Sequence, residues 1–599
     1  MQKWWEQEKP HDAILGVVKY LDESQSSRAE ANLRYIRLYG NNDMQGLGYN
    51  SYSRLADEAR DSRVTLNVIQ SCVDSAAAKI AKNRPRPLFL TEGGDYSLQK
   101  KAKQLNKFVE GQFYATRAYE KATKCFIDAG ITGTGIMKIY ADGSEICVER
   151  VLPNEIVLDD RDALYGNPRC IYQCKTVNRD VLKGMYPDAE VFIDQASSSK
   201  SGYGLGYYDP AQDADQVGVV EAWHLPSSKG AKDGKHVICI SGFTLFEEPY
   251  TKDFFPFAFI KWNQRPFGFF GQGIAEQLRD KQIEINKLLI GIQRAFHLGS
   301  GFTVFVEQGS KIVKSHFNND IGNFVSYSGV KPTIEVFATV HPEIFAHLRW
   351  LVQSSYEEVG ISQLSAQSKK PAGLDSGKAL REYNDIESER FAIVGQAWEQ
   401  FFLDIAAQLI ECAKDIYKTD KNYSVMVREK KFLRSIKWAD VNMEEDKYQM
   451  HCWPVSQLPS TPAGKLAAVQ EMMQAGLIDP ETGMQLLDFP DLERYQNLKF
   501  SARELIQDIV EKMVNEGEYT SPEPFMDLAY CVQYTQTVYN KAKLDNVPEE
   551  NLELLRRFME QAQYMAAPPP AEPVPQDPMM QQQPQPEMPA EQPQLPPIA

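Results

Sequence analysis

The chain predicts an α+β fold of several domains, with long helices and short strands segregated along it rather than alternating. Three observations lead there. A 3.6-residue apolar period runs unbroken through residues 274–296 and from 376 to about 418, much longer than an ordinary helix. Runs of strand length, rich in β-branched and aromatic residues, gather between residues 130 and 262 and return between 423 and 453. A Pro/Gln-rich end, 566–599, follows neither pattern.

Up to about residue 150 the chain reads mainly as helix. Residues 13–39 carry Ile14, Val17, Val18, Leu21, Leu33 and Ile36. Residues 65–83 carry Val68, Cys72, Ala76 and Ile80 and stop before Arg84-Pro85-Arg86-Pro87. Residues 98–129 predict one long helix, and GITGTGIMKIY, 130–140, turns the chain into strand. The runs EICVERV, EIVLDD, CIYQCKTV, GVVEAWHL, KHVICISG and FAFIKW then read as strands, interrupted by a flexible polar insertion at 197–215.

A long amphipathic helix is predicted over 271–299, with Ile274, Leu278, Ile285, Leu288, Leu289, Ile292 and Phe296 on one face. Short strands FTVFVE, NFVSY and TIEVF follow, then a helix at 342–359 with Ile344, Leu348, Leu351, Val352 and Tyr356. Residues 365–390 read SAQSKKPAGLDSGKALREYNDIESER: a basic loop running into a helix that lacks proline from Ser376 to about Lys418. Its apolar positions are Leu380, Tyr383, Ile386, Phe391, Val394, Trp398, Phe401, Phe402, Ile405, Leu409 and Ile416. Such a helix is about 60 Å long. YSVMVREK, LRSIKW and YQMHCW return to strand character. Past Ser460, Pro462, Pro480, Pro522 and Pro548 predict helix starts, with Asp479 and Ser521 as caps. That block ends near Tyr564. The tail from Ala566 carries Glu572, Asp577, Glu587 and Glu591 without Lys or Arg, and is expected to be disordered.

Composition excludes several classes. With 43% apolar and 24% charged residues the chain reads as globular, and no run approaches the ~20 apolar residues of a membrane helix. No membrane insertion is expected. MQKWWEQEKPHD at the N-terminus has no secretory pattern, so synthesis in a cytoplasm is expected. The nine cysteines are scattered with no CxxC pair and read as free thiols. A net charge of −16 argues against a general phosphate-binding surface.

Catalytic signatures are missing. GITGTGIMK lacks Walker spacing, and Lys138 is followed by Ile139 rather than Ser or Thr, so a helix-to-strand turn is expected. Gly202, Gly204 and Gly206 precede no helix and fit a loop. Asp159-Asp160 ends an apolar run as metal ligands of a nuclease do, but no third acid joins it, and a strand-end turn with Arg161 is expected. The eight histidines form no HxH, HxxxH or HExxH, and there is no GxSxG. The reading is therefore no catalytic residues, no cofactor, no metal and no enzyme. The positive signal is the loop with Lys369, Lys370, Lys378 and Arg381 against Asp375, a local charge of +3. Gly373 and Gly377 are its candidate hinges. By itself such a loop reads as a solvated helix lead-in capped by Asp375 or Ser376.

Four segments in one order resemble the portal (head-to-tail connector) proteins of tailed bacteriophages, most like those of short-tailed phages. They are PFAFIKWNQRPFGFFGQGIAEQLRDKQIEINKL (256–288), PAGLDSGKALREYNDIESERF (371–391), VERVLPNEIVLDDRDALYGNPRCIYQ (148–173) and GKLAAVQEMMQAGLIDPETGMQLLDFPDLE (464–493). The resemblance implies a portal fold. Its mixed α/β wing would be 1–267 with return strands 419–459, and its stem helices 268–299 and 340–360. The small β-rich clip would be 300–339, the tunnel loop 361–377, the long channel helix 378–418 and the α-helical crown 460–565, followed by the disordered tail 566–599. It further implies a homo-oligomeric ring, typically a dodecamer, at one capsid vertex of the virion, the conduit for genome packaging and ejection. The implied partners are the terminase large subunit, the major capsid or scaffolding protein, a head-completion or tail adaptor protein, and double-stranded DNA passing through the channel. Lys369, Lys370, Lys378 and Arg381 would then line that channel. A terminase subunit is the alternative that needs an ATP loop or acid cluster; a channel-less virion structural protein is the other.

Overall fold

A computed structural model describes residues 3–40, 65–81, 84–91, 96–196, 215–228, 230–300, 302–305, 308, 333–336, 341–361, 391–428, 433–442, 448–453, 462–478, 483 and 490–566. The architecture is mixed α+β, as the patterning predicts, with small antiparallel sheets among long helices. Two compact units are present, residues 1–93 with 97–464 and residues 94–96 with 465–599.

The first unit opens on a 3-10 turn, Trp4–Glu6, and α1 (Pro10–Tyr39), with proline in its first turn. Asn67 caps α2 (Val68–Ile80), accepting from Gln70 N at 2.9 Å. After β1 (Arg86–Thr91) the expected single helix over 98–129 is two, α3 (Tyr96–Ala115) and α4 (Ala118–Thr132). The break is at Arg117, which takes the left-handed conformation (φ 54) without a glycine to announce it. It lets Phe113 and Ala118 both enter the core, and Phe113 stacks on Tyr119 across the break.

The strands are β2 (Thr134–Asp142), β3 (Glu145–Val151), the short β4 (Ile156–Val157) and β5 (Cys170–Asn178). Small helices α5 (Arg179–Met185) and α6 (Glu190–Gln195) separate β5 from β6 (Gln216–His224), β7 (Lys235–Ile240), β8 (Phe243–Pro249) and β9 (Phe257–Lys261). They form a three-stranded sheet, β3-β2-β9, and a five-stranded sheet, β4-β5-β6-β7-β8, antiparallel throughout. The period of two sorts the larger sheet's residues. Tyr172, Cys174, Val220, Ala222, Val237 and Cys239 pack with Ile14, Val18 and Leu21 of α1. On the opposite face Ile171 and Trp223 meet Ile136, Val151 and Phe257 of the smaller sheet. Val217, Val219 and Ile240 on that face are covered by Leu182 and Ile193.

The long helix α7 (Ile274–Ser300) leads into β10 (Phe302–Phe305), which pairs antiparallel with β11 (Thr333–Val336) before α8 (Pro342–Val359). NFVSY lies outside the described residues. Helix α9 (Ala392–Thr419) buries Val394, Trp398, Phe401, Phe402, Ile405, Leu409 and Ile416, the later part of the stripe read from the sequence; Leu380, Tyr383, Ile386 and the expected start at Ser376 lie outside the described residues. Phe126, Trp262 and Trp398 meet edge to face in the same core. Next come β12 (Ser424–Arg428), paired with β13 (Leu433–Lys437), the turn of helix α10 (Trp438–Val441), and β14 (Tyr448–Trp453). β14 runs antiparallel to β1, placing Arg86 opposite Trp453, so the chain returns to its first segment.

α11 (Pro462–Gln474) starts at the predicted proline. In the second unit α12 (Pro490–Glu516), α13 (Leu528–Leu544) and α14 (Glu549–Ala566) close around Ile506, Val510, Met513, Cys531, Leu555 and Phe558. Pro522 does not start a helix, contrary to expectation, and Ser521 caps none. The chain continues non-helical to Asp527, whose carboxylate accepts from Tyr530 N at 3.1 Å and caps α13. Pro548 directly precedes α14. Pro480 and Asp479 lie outside the described residues, as does the tail beyond Ala566. No described helix is long and apolar enough to cross a membrane.

Candidate functional site

The residues singled out for a channel, Lys369, Lys370, Gly373, Gly377, Lys378 and Arg381, lie outside the described residues, but both ends of their segment are placed. α8 ends at Gly360, which takes φ 80. Its N–H donates to Tyr356 O at 2.9 Å, and Ile361 N donates to the same oxygen at 3.0 Å. Ile361 is buried in the main core. At the other end Phe391 is buried beside Trp262, with ring centroids 6.2 Å apart, and α9 starts at the next residue. The basic segment therefore leaves one core and re-enters the same one.

The glycine run at 130–135 makes the expected turn from helix to strand and adds something the sequence did not reveal. α4 ends at Gly133, φ 93, whose N–H donates to Ala129 O at 2.9 Å. Its carbonyl accepts from Trp262 N at 3.0 Å, and Thr134 Oγ1 accepts from Gly271 N at 2.9 Å. A Cβ on Gly133 would sit 2.3 Å from Gly271 O, one on Gly271 would sit 2.3 Å from Gly133 O, and one on Gly135 would sit 1.9 Å from Cys125 O. The GxG pairs 133–135 and 271–273 are thus a seam fixing the start of α7 to the small sheet, where backbone must touch backbone.

Lys138, the lysine of that run, is buried between the two sheets. Its Nζ lies 2.5 Å from Glu221 Oε2 and donates to Gln173 Oε1 at 3.1 Å. Glu221 Oε1 lies 3.1 Å from His236 Nε2, and His236 Nδ1 lies 2.8 Å from Glu248 Oε1. Gln173 Nε2 donates to Glu155 Oε2 at 3.1 Å. Burial would raise the Glu221 carboxyl, but Lys138 and His236 reverse this and hold it at about 2. Burial lowers Lys138, with Glu221 opposing. Lys138 is thus spent on Glu221 and Gln173 inside the protein rather than presented to a phosphate. Sequence reasoning missed it, although a signal existed: IMKIY and VVEAW each place one charge inside an apolar strand, and such charges need partners.

Asp159 makes the expected turn, its Oδ1 accepting from Arg161 N at 2.9 Å. Cys170 and His224, opposite each other on β5 and β6, approach to 3.1 Å between Sγ and Nδ1, and Trp5 stacks on the imidazole at 3.8 Å. Burial pushes the Cys170 thiol up to about 12 and His224 down, so the pair is a neutral, packed contact rather than an activated nucleophile. Among the described residues no group of three or more His, Cys, Asp or Glu is arranged to hold a metal ion.

No protein-family model matches the chain, and no curated protein matches it.

Proposed function

We propose that this chain is the subunit of a phage portal ring, a channel for DNA at one vertex of the capsid, and not an enzyme. The observation that carries the reading is the order of the first unit. Helix α7 runs out to an antiparallel strand pair and α8 follows it; a basic segment is anchored at both ends in the core; a long helix comes next, and strands return to pair with β1. Long helices flanking a basic segment suit a wall around a bore, with the β pair as clip and α7 and α8 as stem. The separate helical unit suits a crown. The surface of α8 supports assembly: Ile344 and Trp350 are exposed, Trp350 at 59%, as is Phe296 of α7 at 50%. Apolar side chains left exposed on these two helices fit burial against neighbouring copies. The terminase large subunit and then the tail adaptor would dock on such a ring at the capsid vertex, beside the capsid or scaffolding protein.

Native mass spectrometry at micromolar concentration is expected to show a closed high oligomer with twelve copies favoured, and negative-stain images a ring with a central hole. A monomer at every salt and magnesium concentration overturns the reading.

Lys369→Ala with Lys370→Ala should leave the ring and its stability nearly unchanged, because the sequence reads this segment as a solvated helix lead-in with little packing energy. DNA packaged or retained per particle should change. Each lysine acts on phosphate weakly, screened within about 8 Å at physiological salt. Full-length genomes retained at wild-type efficiency would return the loop to a solvated helix lead-in.

A further inference from the structure

We propose that His236 is a proton-operated latch that holds edge strand β8 onto the five-stranded sheet, closed when the imidazole is charged and loosened when it is neutral. The inference is independent of the portal reading. It rests on how three adjacent strands meet. His236 on β7 stands opposite Glu248 on β8 and beside Glu221 on β6, with one ring nitrogen on each carboxylate at 2.8 and 3.1 Å. A neutral imidazole has one N–H and donates to one carboxylate only; the imidazolium donates to both. Bridging two acids is therefore a property of the charged form.

The surroundings of His236 are defined on every side. Trp223 of β6 stacks on the ring at 5.0 Å, and Phe246 of β8 and Tyr250 beyond it meet it at the edge. The Tyr250 phenol is driven above its ordinary range by burial and remains neutral. From β2, Lys138 reaches the other oxygen of Glu221; Lys175 of β5 and Glu149 of β3 act on Lys138 from further off, with Glu149 held by the Tyr140 hydroxyl. Glu155 is bonded through Gln173. Two cations and two carboxylates therefore share the inner network when His236 is charged. When it is neutral, Glu248 faces Glu221 with no cation between them. β8 is the edge strand, and its second half is exposed. Apart from its ladder to β7 and the bond from Tyr250 N to Gly234 O at 2.9 Å just beyond it, the histidine bridge and the Lys235–Glu247 pair at 2.8 Å hold that half. Loosening β8 would uncover the backbone edge of β7, a surface able to pair with another strand.

The direction of the pH dependence follows. Burial lowers the imidazole pKa, the two carboxylates raise it, and the net shift is upward from 6.5. The latch contributes fully below 6.5 and is lost as pH rises through the folded value. His224, shifted down, has the opposite sign: its contribution is present above 6.5 and lost as pH falls.

The test is hydrogen exchange by mass spectrometry on the full-length protein, with each rate divided by its intrinsic value at that pH. Between about pH 6 and about pH 9, protection of residues 235–249 should fall by about tenfold in the wild type while residues 170–178 change little. In His236→Phe the difference should vanish. Glu248→Gln keeps the ring stack and alters a half-exposed side chain, so it guards against a misfolded first variant; it should move the midpoint to lower pH. An unchanged pH step in His236→Phe, or an unchanged midpoint in Glu248→Gln, overturns the latch.

Discussion

Gly133→Ala should remove a large part of the stability of the first unit and lower its urea midpoint sharply. Two costs add. At φ 93 an alanine is forced into left-handed backbone, about 1–2 kcal/mol by itself. Its Cβ would then overlap Gly271 O at 2.3 Å and the Gly271 carbonyl carbon at 2.5 Å. Those are main-chain atoms at the start of α7, tied down by Gly271 N to Thr134 Oγ1, and they cannot rotate away. Overpacking of this kind adds about 1–3 kcal/mol or more. A total near 4 kcal/mol is a large part of the roughly 5–15 kcal/mol that holds a domain folded. Gly291→Ala is the control. It lies within α7 with nothing within 4 Å of the added Cβ, and should stabilise by about 0.5–1 kcal/mol through helix propensity. Urea midpoints of the two variants should therefore move in opposite directions. A Gly133→Ala midpoint within error of wild type would mean that the seam between the glycine pairs is not close-packed.

The second large effect is expected at the buried ion pair. Lys138→Met should cost about 3–5 kcal/mol, since it leaves a carboxylate desolvated while filling nearly the same volume. Combining Lys138→Met with Glu221→Gln should recover most of the loss, because no uncompensated charge then remains. The pH dependence separates this from simple misfit. Glu221 is held at about 2, below its ordinary 4.5. Its contribution is present above 4.5 and is lost as pH falls from there towards 2. That acid-side step should shrink in Lys138→Met. Equal destabilisation of the single and double variants would mark the loss as packing rather than charge.

Periodicity read one residue at a time was reliable where a helix is long and faces a core. The stripe from Val394 to Ile416 and the bounds of α8 emerge as expected, because an amphipathic helix writes its burial into every third or fourth residue. It failed at Arg117. The break between α3 and α4 carries no glycine or proline, and the conformation there is imposed by two helices burying Phe113 and Ala118 against one core. Pro522 failed for a related reason: proline tolerates a helix start but does not create one, and Asp527 supplied the cap instead. The basic segment was legible as charge; it lies outside the described residues, and its flanking residues Ile361 and Phe391 are buried in one core.

The sequence by itself determined the α+β class, the long helix stretches at 274–296, 342–359 and 392–418, the strand runs, the turn at 130–135 and the placement of four cations in one segment of an acidic chain. These are local properties, decided within a few turns or strands by period, propensity and charge. Only the tertiary structure decided that Gly133 meets Gly271, that Lys138 meets Glu221 and that His236 spans two acids on neighbouring strands. Their separations along the chain, from 12 residues for His236 and Glu248 to 138 for the two glycines, have no local signature. A close backbone approach or a buried charge is stable only when a distant partner completes it, and which partner does so is fixed by how the sheets stack and pair rather than by the residue's own neighbours.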